Sequence, residues 1–216
     1  MKRGFDFVIA FAGLVLLSPL FVMVGLLIKL GSPGPVFFRQ ERMGKRFKPF
    51  FIYKFRTMIV DNLQNRQVPL TVGGDPRITS IGRWLRKSKI DELPQLINVL
   101  RGEISLVGLR PEMPQFVELF RTDYQEILAV RPGITDMASL KYRNEESVLA
   151  KAEDPENEYL RNVLPDQIRL AKDYLQCSSF LFDLRVILQT LFKLFRHTSD
   201  LEQSRRAQSG RLHERY

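Results

Sequence analysis

The stretch Ser88-Lys89-Ile90-Asp91-Glu92-Leu93-Pro94-Gln95 decides how this chain is interpreted. It places two adjacent carboxylates, Asp91 and Glu92, directly before a predicted helix, because Pro94 suits a first helical turn and Gly102 ends the apolar run that follows. A basic segment precedes the pair. We expect such a place to lower a carboxylate pKa and to attract phosphate. An acidic cap on a solvated helix is the alternative.

Composition limits the kinds of chemistry that the chain can perform. Its 216 residues fit one domain, or one domain with an appendage, and the net charge of +9 predicts an anionic partner. Cys177 is the one cysteine, which excludes an intrachain disulfide and disfavours a cysteine metal site. The two histidines, His197 and His213, lie in the C-terminal tail. Catalysis must therefore come from carboxylates, lysines, tyrosines or hydroxyls.

The N-terminal segment is apolar enough to enter a membrane. Residues 7–28 carry no charge, which is long enough to cross a bilayer and too long for a typical signal-peptide core. Pro19 removes the hydrogen bond to the Val15 carbonyl, and Ser18 can satisfy the freed group. The sequence thus predicts a retained membrane helix that is broken at Ser18-Pro19.

The charges around this segment leave its topology open. Lys2 and Arg3 precede it, and Lys29 begins a second cationic run after it. A simple crossing places cations on one side of the membrane. A kinked spanning helix and a re-entrant hairpin with both ends cytoplasmic are the two alternatives.

Two strands are predicted after the rigid break at 31–35. Residues 36–42 and 47–57 flank a turn at Met43-Gly44-Lys45. Alternation along the second strand places Lys54 and Arg56 on one face, and two such cations can hold a diphosphate. A solvated strand face is the alternative.

Further along the chain, one cation has a restrained backbone. Arg110 precedes Pro111, and a residue before proline is kept extended. Residues 180–195 have an apolar face and are predicted to form a helix in the membrane interface, with a core helix as the alternative. Residues 197–216 are polar and basic, and we expect this tail to be disordered.

These motifs, taken in order, resemble the bacterial sugar transferases, which are monotopic phosphoglycosyl transferases. The resemblance covers roughly Lys2 to Arg196. The segments that carry it are Ser18-Pro19, 36–44, 54–58, 85–96, 98–102, 105–111 and 132–135.

The resemblance implies an α/β fold, mostly helical with a small β-hairpin. Residues 1–30 would form a re-entrant membrane helix, residues 31–196 a catalytic domain on the cytoplasmic face of a bacterial inner membrane, and residues 197–216 a flexible tail. It also implies transfer of a sugar 1-phosphate from a UDP-sugar to undecaprenyl phosphate, with release of UMP. Such a reaction uses Mg²⁺ and an aspartyl phosphosugar intermediate, and it initiates exopolysaccharide, O-antigen or glycoprotein glycan assembly.

Roles for individual residues follow from the same resemblance. Asp91 resembles the family's nucleophile and Glu92 its partner, and which of the two holds Mg²⁺ is left open. Five basic residues resemble contacts to phosphate or nucleotide: Lys54, Arg56, Arg86, Arg110 and Arg143.

The chain departs from the family pattern at two places. Leu109 stands where the family commonly has proline, so the loop that presents Arg110 lacks one restraint. The usual Gly-x-x-Gln-Val-x-Gly-Arg run is replaced by residues 136–143, which match it at Arg143. We therefore infer no sugar or uridine specificity from this region.

A second hypothesis treats the chain as a non-catalytic membrane-surface module that binds anionic lipid or a partner glycosyltransferase. Leu109 and Asp136 would then be signs of decay. We expect no nucleic-acid partner, because the positive charge is dispersed and an apolar N-terminal segment has no role in such a protein. Whether the chain forms a homodimer is left open.

Overall fold

The structure is a computed structural model that describes residues 2–59, 70–142 and 145–193. Within these ranges the chain is mostly helical, with two small sheets, which agrees with the predicted α/β class. The predicted tail at 197–216 lies outside the described residues.

The apolar N-terminus forms two helices, α1 (Lys2–Leu16) and α2 (Ser18–Gly31), which are bent by 60° relative to each other. The Ser18 hydroxyl donates to the Val15 carbonyl at 2.8 Å, which satisfies the group freed by Pro19. In the described part of the chain no single helix is long and apolar enough to cross a membrane, whereas this bent pair meets the length and composition together.

Polar side chains fasten the start of α1 to the rest of the protein. Lys2 Nζ donates to the Val107 carbonyl at 2.9 Å, and Arg3 donates to the Val99 carbonyl at 2.6 Å. The buried Asp6 carboxylate accepts from the Ser105 hydroxyl at 2.8 Å. The first turns of α1 are thus held by the part of the protein that follows the bent pair of helices α1 and α2, which is called the helical hairpin below.

The predicted β-hairpin is present. Strands β1 (Phe37–Met43) and β2 (Pro49–Phe55) pair antiparallel around the 3₁₀ turn Lys45–Phe47. The other edge of β2 is paired by a side chain, because the Asn98 carboxamide accepts from the Tyr53 N–H and donates to the Phe51 carbonyl. Asn98 is fully buried, and it belongs to helix α4 (Gln95–Arg101).

Helix α3 (Ser80–Ser88) packs directly on the chain that leaves β2. The Thr79 side chain caps α3, because it accepts from the Gly82 N–H at 2.9 Å. A β-carbon on Gly82 would lie 2.0 Å from the Thr57 carbonyl oxygen, so this close approach requires glycine. The predicted end of α4 at Gly102 is also observed, with φ +79.

A second, parallel sheet joins β3 (Ser105–Val107) and β4 (Gly133–Thr135). The helical segments between residues 114 and 177 are α5 (Pro114–Leu119), α6 (Arg121–Ile127), α7 (Met137–Lys141), α8 (Glu145–Leu149), α9 (Pro155–Glu158), a π-helical turn (Tyr159–Val163) and α10 (Leu164–Cys177).

The last described helix, α11 (residues 180–193), has two contrasting faces. Asp183 and Val186 are buried against the domain. The opposite face exposes large apolar side chains, namely Leu181, Leu184, Leu188, Leu191 and Phe192. The core-helix alternative for this segment is therefore wrong, because a core helix would bury them. Its location in a membrane interface stays a prediction.

Replacement of Asn98 by alanine is expected to destabilise the protein strongly. The change leaves the backbone groups of Phe51 and Tyr53 without their partner in a buried place, which costs about 2–4 kcal/mol. Thermal unfolding in detergent would record this as a lower midpoint, by about 2–4 °C per kcal/mol. The matched control is Asn162→Ala, because Asn162 is exposed and its carboxamide donates to the Glu158 side chain rather than to buried backbone. Equal midpoints for the two variants would contradict the role given to Asn98.

Candidate active site

The two carboxylates lie in a 3₁₀ turn, Ile90–Glu92, between α3 and α4. Lys89, which ends α3, adopts a left-handed conformation with φ +60, unusual for a residue with a side chain. This reversal of the backbone takes the chain from α3 into the turn. Asp91 is consequently buried, with 8% of its surface exposed.

Glu92 is held by an ion pair. Its Oε1 lies 2.9 Å from Lys54 Nζ, and both side chains are largely shielded from solvent. Burial opposes the ionisation of Glu92, but the charges of Lys54, Arg110 and Lys89 outweigh it and hold its pKa well below the usual value. Glu92 is therefore a fixed negative charge at physiological pH.

Asp91 has the opposite behaviour. Burial and the neighbouring charge of Glu92 raise the pKa of Asp91 to about 6, although Lys54 and Lys89 act against this. The expectation of a lowered carboxylate pKa is thus right for Glu92 and wrong for Asp91. The sequence contains the cations, but it does not reveal how deeply Asp91 is buried.

One oxygen of Asp91 lacks a hydrogen bond. Asp91 Oδ1 is buried and has no hydrogen-bond partner in the described part of the chain. A buried carboxylate oxygen without a partner is costly to ionise, so a substrate or cation that satisfies it would gain that energy.

The donor set also allows an assessment of magnesium. Among the described residues no three Asp, Glu, His or Cys side chains are grouped to hold a metal. Mg²⁺ does not need such a cage, since it is usually held by one or two carboxylates, substrate phosphates and water. The free oxygen of Asp91, next to Glu92, fits that mode of binding.

Arg86 reaches the same region from α3. Its Nε donates to the Thr57 hydroxyl at 2.8 Å, and its Nη1 lies 2.7 Å from Glu146 Oε1. Arg86 also contributes to the field at Asp91. A phosphate that binds Arg86 would replace or supplement Glu146, whose side chain is 43% exposed.

Arg110 approaches from the loop after β3. Burial disfavours its charge, but the carboxylates of Glu92, Glu145 and Glu112 outweigh burial and raise its pKa above the usual value. Arg110 is therefore a permanent cation that faces several carboxylates.

Arg56 directly follows β2, and its N–H still donates to the Val36 carbonyl at 2.9 Å. Its buried guanidinium donates to carbonyls at the end of α2, those of Ile28, Ser32 and Pro33. Lys54, in contrast, binds Glu92. The shared face with Lys54 stays a prediction, and phosphate binding by Arg56 is a prediction that requires these bonds to break.

The other predicted residues divide in two groups. The structure brings Asp91, Glu92, Lys54 and Arg110 into one electrostatic cluster, with Arg86 beside it. Arg143 lies outside the described residues.

Sequence reasoning missed several residues that support the site. The charge of Lys89 lowers the pKa of both carboxylates. Its position in the sequence, two residues before Asp91, could have identified it. Buried Glu112 binds Arg42 at 2.9 Å and accepts from the Tyr159 hydroxyl at 2.7 Å. Its position after Arg110-Pro111 could have marked Glu112, whereas the sequence contains no signal for Glu146 as the partner of Arg86.

The cluster opens into a large cleft of about 2530 Å³. Its walls include Asp91, Glu92 and Arg110, and they continue onto Ile9 and Gly13 on one face of α1 and onto Leu17 at the helix break. Charged side chains and apolar side chains of the bent helix pair therefore line one cleft.

Comparison with protein families gives one assignment over nearly the whole chain. The family described as "Bacterial sugar transferase" matches residues 1–197.

Curated relatives have related names. The chain is 37% identical over 200 residues, 90% of its own length, to "UDP-glucose:undecaprenyl-phosphate glucose-1-phosphate transferase" of Escherichia coli (strain K12), of which it covers 40%. It is 38% identical to "Exopolysaccharide production protein PSS" of Rhizobium leguminosarum bv. phaseoli, with 88% of the chain and 93% of the relative covered. It is 45% identical over 143 residues, 65% of the chain and 34% of the relative, to "UDP-N-acetylgalactosamine-undecaprenyl-phosphate N-acetylgalactosaminephosphotransferase" of Aeromonas hydrophila. The chain thus spans less than half the length of two of these three relatives.

Replacement of Asp91 by asparagine is expected to stabilise the protein at pH 7.5. The folded-state pKa of about 6 lies above the ordinary value of 3.8, so the free energy of unfolding falls as the pH rises from 3.8 to about 6 and stays lowered above that pH, where Asp91 is ionised. Removal of that charge should raise the free energy of unfolding by about 1–3 kcal/mol, at roughly 1.4 kcal/mol per pKa unit. The gain should shrink as the pH falls from 7.5 to 5, because wild-type Asp91 then takes up a proton.

Thermal unfolding at both pH values would test this expectation. The matched comparison is Glu92→Gln, which removes the partner of Lys54 and should lower the unfolding midpoint at pH 7.5. An Asp91→Asn protein that is less stable than wild type at pH 7.5, with the same stability difference at pH 5, would argue against a buried charge on Asp91.

Proposed function

The chain belongs to the bacterial sugar transferase family, and we propose that it transfers a sugar 1-phosphate from a UDP-sugar to undecaprenyl phosphate with release of UMP. One observation carries this proposal: Asp91, whose buried Oδ1 has no hydrogen-bond partner among the described residues, adjoins Glu92 of the Lys54–Glu92 ion pair and lines a cleft that continues along the apolar helix pair. The charged end suits a diphosphate, and the apolar end suits a lipid.

The first displacement begins at Asp91. A carboxylate oxygen of Asp91 attacks the phosphorus that carries the sugar, an O–P bond forms, and the bond from that phosphorus to UMP breaks. UMP leaves with the electron pair, so no proton has to move. Attack of an anion on an anion requires neutralised charge, and Lys54, Arg86 and Arg110 would supply it as phosphate contacts.

The raised pKa of Asp91 suits this role. At physiological pH a carboxyl with a pKa of about 6 is mostly ionised, while it is more basic than an ordinary aspartate. Glu92, held by Lys54, keeps its negative charge and orients the site.

Magnesium would be held by oxygens of Asp91 and Glu92 together with the phosphates of the donor. When bound, the ion would neutralise charge on the diphosphate and stabilise the leaving UMP.

The second displacement regenerates the enzyme. A phosphate oxygen of undecaprenyl phosphate attacks the same phosphorus and releases the Asp91 carboxylate. The cleft wall formed by Ile9, Gly13 and Leu17 gives the acceptor a route, because an apolar chain can lie along α1 while its phosphate reaches the cations. The product would be a lipid-linked sugar that initiates exopolysaccharide or related glycan assembly.

The hairpin is proposed to be re-entrant, with the catalytic domain at the cytoplasmic face of the inner membrane. Its N-terminal end is bound through Lys2, Arg3 and Asp6, and its C-terminal end through Arg56, all to the same folded domain. A spanning helix would place its two ends on opposite sides of the bilayer, whereas both ends are bound here to one folded domain.

We propose a UDP-sugar as the donor and assign no particular sugar. The relatives are named for glucose in one case and N-acetylgalactosamine in another, and the chain covers only part of each. Residues 136–143, where the sequence departs from the family pattern, also border the cleft at Ala138 and Ser139.

Purified protein with UDP-sugars, Mg²⁺ and undecaprenyl phosphate is expected to release UMP. Asp91→Asn should reduce turnover by at least about 10³-fold, because the attacking oxygen is lost while the fold is retained. Asp173→Asn, on the exposed side of α10, is the matched control and should retain wild-type turnover. A folded wild type that releases no UMP with any UDP-sugar, yet binds anionic vesicles, would instead favour the non-catalytic membrane module.

The covalent step has its own readout. Wild type incubated with a radiolabelled UDP-sugar and Mg²⁺, without lipid acceptor, should retain label after rapid denaturing quench, and Asp91→Asn should not. Normal turnover without trapped label would point to direct transfer between the two substrates.

Cysteine labelling tests the topology. In a Cys177→Ser background, cysteine at Gly4, where added atoms meet nothing within 4 Å, should react with a membrane-impermeant maleimide only after cells are permeabilised. Cysteine at exposed Glu118 in the catalytic domain should behave in the same way. Labelling of the residue-4 cysteine on intact cells would refute the re-entrant hairpin.

A further inference from the structure

Arg110 reaches the cleft from a segment without regular secondary structure. Residues 108–113 form neither helix nor strand. An arginine side chain has many rotamers, and ordering it on binding costs affinity unless its backbone is already fixed. The contacts that hold this backbone therefore affect how well the guanidinium can bind phosphate.

Hydrogen bonds to β4 fix the backbone just before Arg110. The Gly133 N–H donates to the Leu109 carbonyl at 2.8 Å, and the Gly108 N–H donates to the Thr135 carbonyl at 3.1 Å. A β-carbon on Gly133 would lie 2.1 Å from the Gly108 nitrogen, so the two backbones meet without space for a side chain. Leu109 is thus tied to β4.

The next restraint comes from a carboxylate. Asp136 is buried, with 4% of its surface exposed. Its Oδ2 accepts from the Arg110 N–H at 3.0 Å, and its Oδ1 accepts from the Ser139 N–H at 2.5 Å in the first turn of α7. One side chain therefore joins the Arg110 backbone to the start of a helix.

The chain after Arg110 is fixed as well. Pro111 restricts the backbone, and the buried Glu112 side chain is bound by Arg42 and Tyr159. Arg110 consequently lies between two fixed residues, Leu109 and Glu112. Asp136 binds the backbone N–H of Arg110 itself.

We propose that Asp136 is a positioning residue for Arg110, an inference that rests on the proposed function, in which Arg110 binds the diphosphate. Asp136 uses both oxygens within the protein and does not need to touch the substrate. Its carboxylate fixes where the Arg110 side chain begins, so that the guanidinium is presented to phosphate at little entropic cost.

A double-mutant cycle on UDP affinity separates this role from general stabilisation. Asp136→Ser keeps an oxygen that can cap α7, but one short hydroxyl cannot also hold the Arg110 N–H. Calorimetric titration with UDP and Mg²⁺ in detergent is expected to give about 10-fold weaker binding for Arg110→Ala and about 3- to 10-fold for Asp136→Ser. The double variant should equal Arg110→Ala within about 2-fold, because Asp136 acts only through Arg110.

Asp154→Ser is the matched control. Asp154 also caps a short helix, since its Oδ1 accepts from the N–H groups of Glu156 and Asn157 at the start of α9, but it is exposed. UDP affinity should be unchanged in this variant. Thermal unfolding of every variant identifies any that fail to fold, and kcat and KM for UMP release give a second measurement of the same cycle.

The outcomes are distinguishable. Asp136→Ser with wild-type affinity, or with an undiminished effect in the Arg110→Ala background, would overturn the positioning role and leave the proposed transfer intact. Wild type that binds UDP but releases no UMP would overturn the transfer, while the affinity cycle still decides the role of Asp136. Wild type that binds no UDP would overturn both.

Discussion

Two adjacent carboxylates, one of them deeply buried, can both exist as anions only if fixed cations supply the field that water would otherwise provide. The Lys54–Glu92 ion pair is the central element of that field. It keeps Glu92 ionised and leaves Asp91 with the cost of burial, which appears as a raised pKa. The left-handed turn at Lys89 and the loop at Arg110 bring further charge to the same point. In the proposed reaction a diphosphate would share these cations with the carboxylates.

The end of β2 links the charged site to the bent helix pair. Lys54 lies in β2 and Arg56 directly follows it, yet Lys54 binds Glu92 and Arg56 binds carbonyls at the end of α2. The inner face of the hairpin, at Ile9 and Gly13, continues the wall of the cleft. A displacement of the hairpin relative to the domain would therefore be transmitted to the carboxylates through a short and hydrogen-bonded piece of chain. In the proposed reaction this fixes the depth at which a lipid phosphate meets the site.

Features that depend on local sequence were predictable. The helix break beside Ser18-Pro19, the antiparallel hairpin, the Thr79 cap and the end of α4 at Gly102 follow from the preferences of a few neighbouring residues. Contacts between distant segments were not, because no local pattern specifies them. The Arg56 guanidinium binds carbonyls more than 20 residues away, and the pKa of Asp91 depends on burial that only the packed structure defines. The roles of the basic residues as phosphate contacts still rest on the proposal.

The two departures from the family pattern meet at one residue. Leu109 lacks the ring that would restrain the backbone before Arg110, and Asp136 stands where the family pattern has a glycine, which has no side chain to bind the Arg110 N–H. In the structure the Leu109 carbonyl is bound by Gly133, and the next N–H is bound by Asp136. A decayed, non-catalytic module would have no reason to retain a buried carboxylate on the backbone of Arg110, since burial of an aspartate is costly unless it is fully bonded. The departures are therefore better explained as an alternative way to restrain Arg110 than as loss of the site.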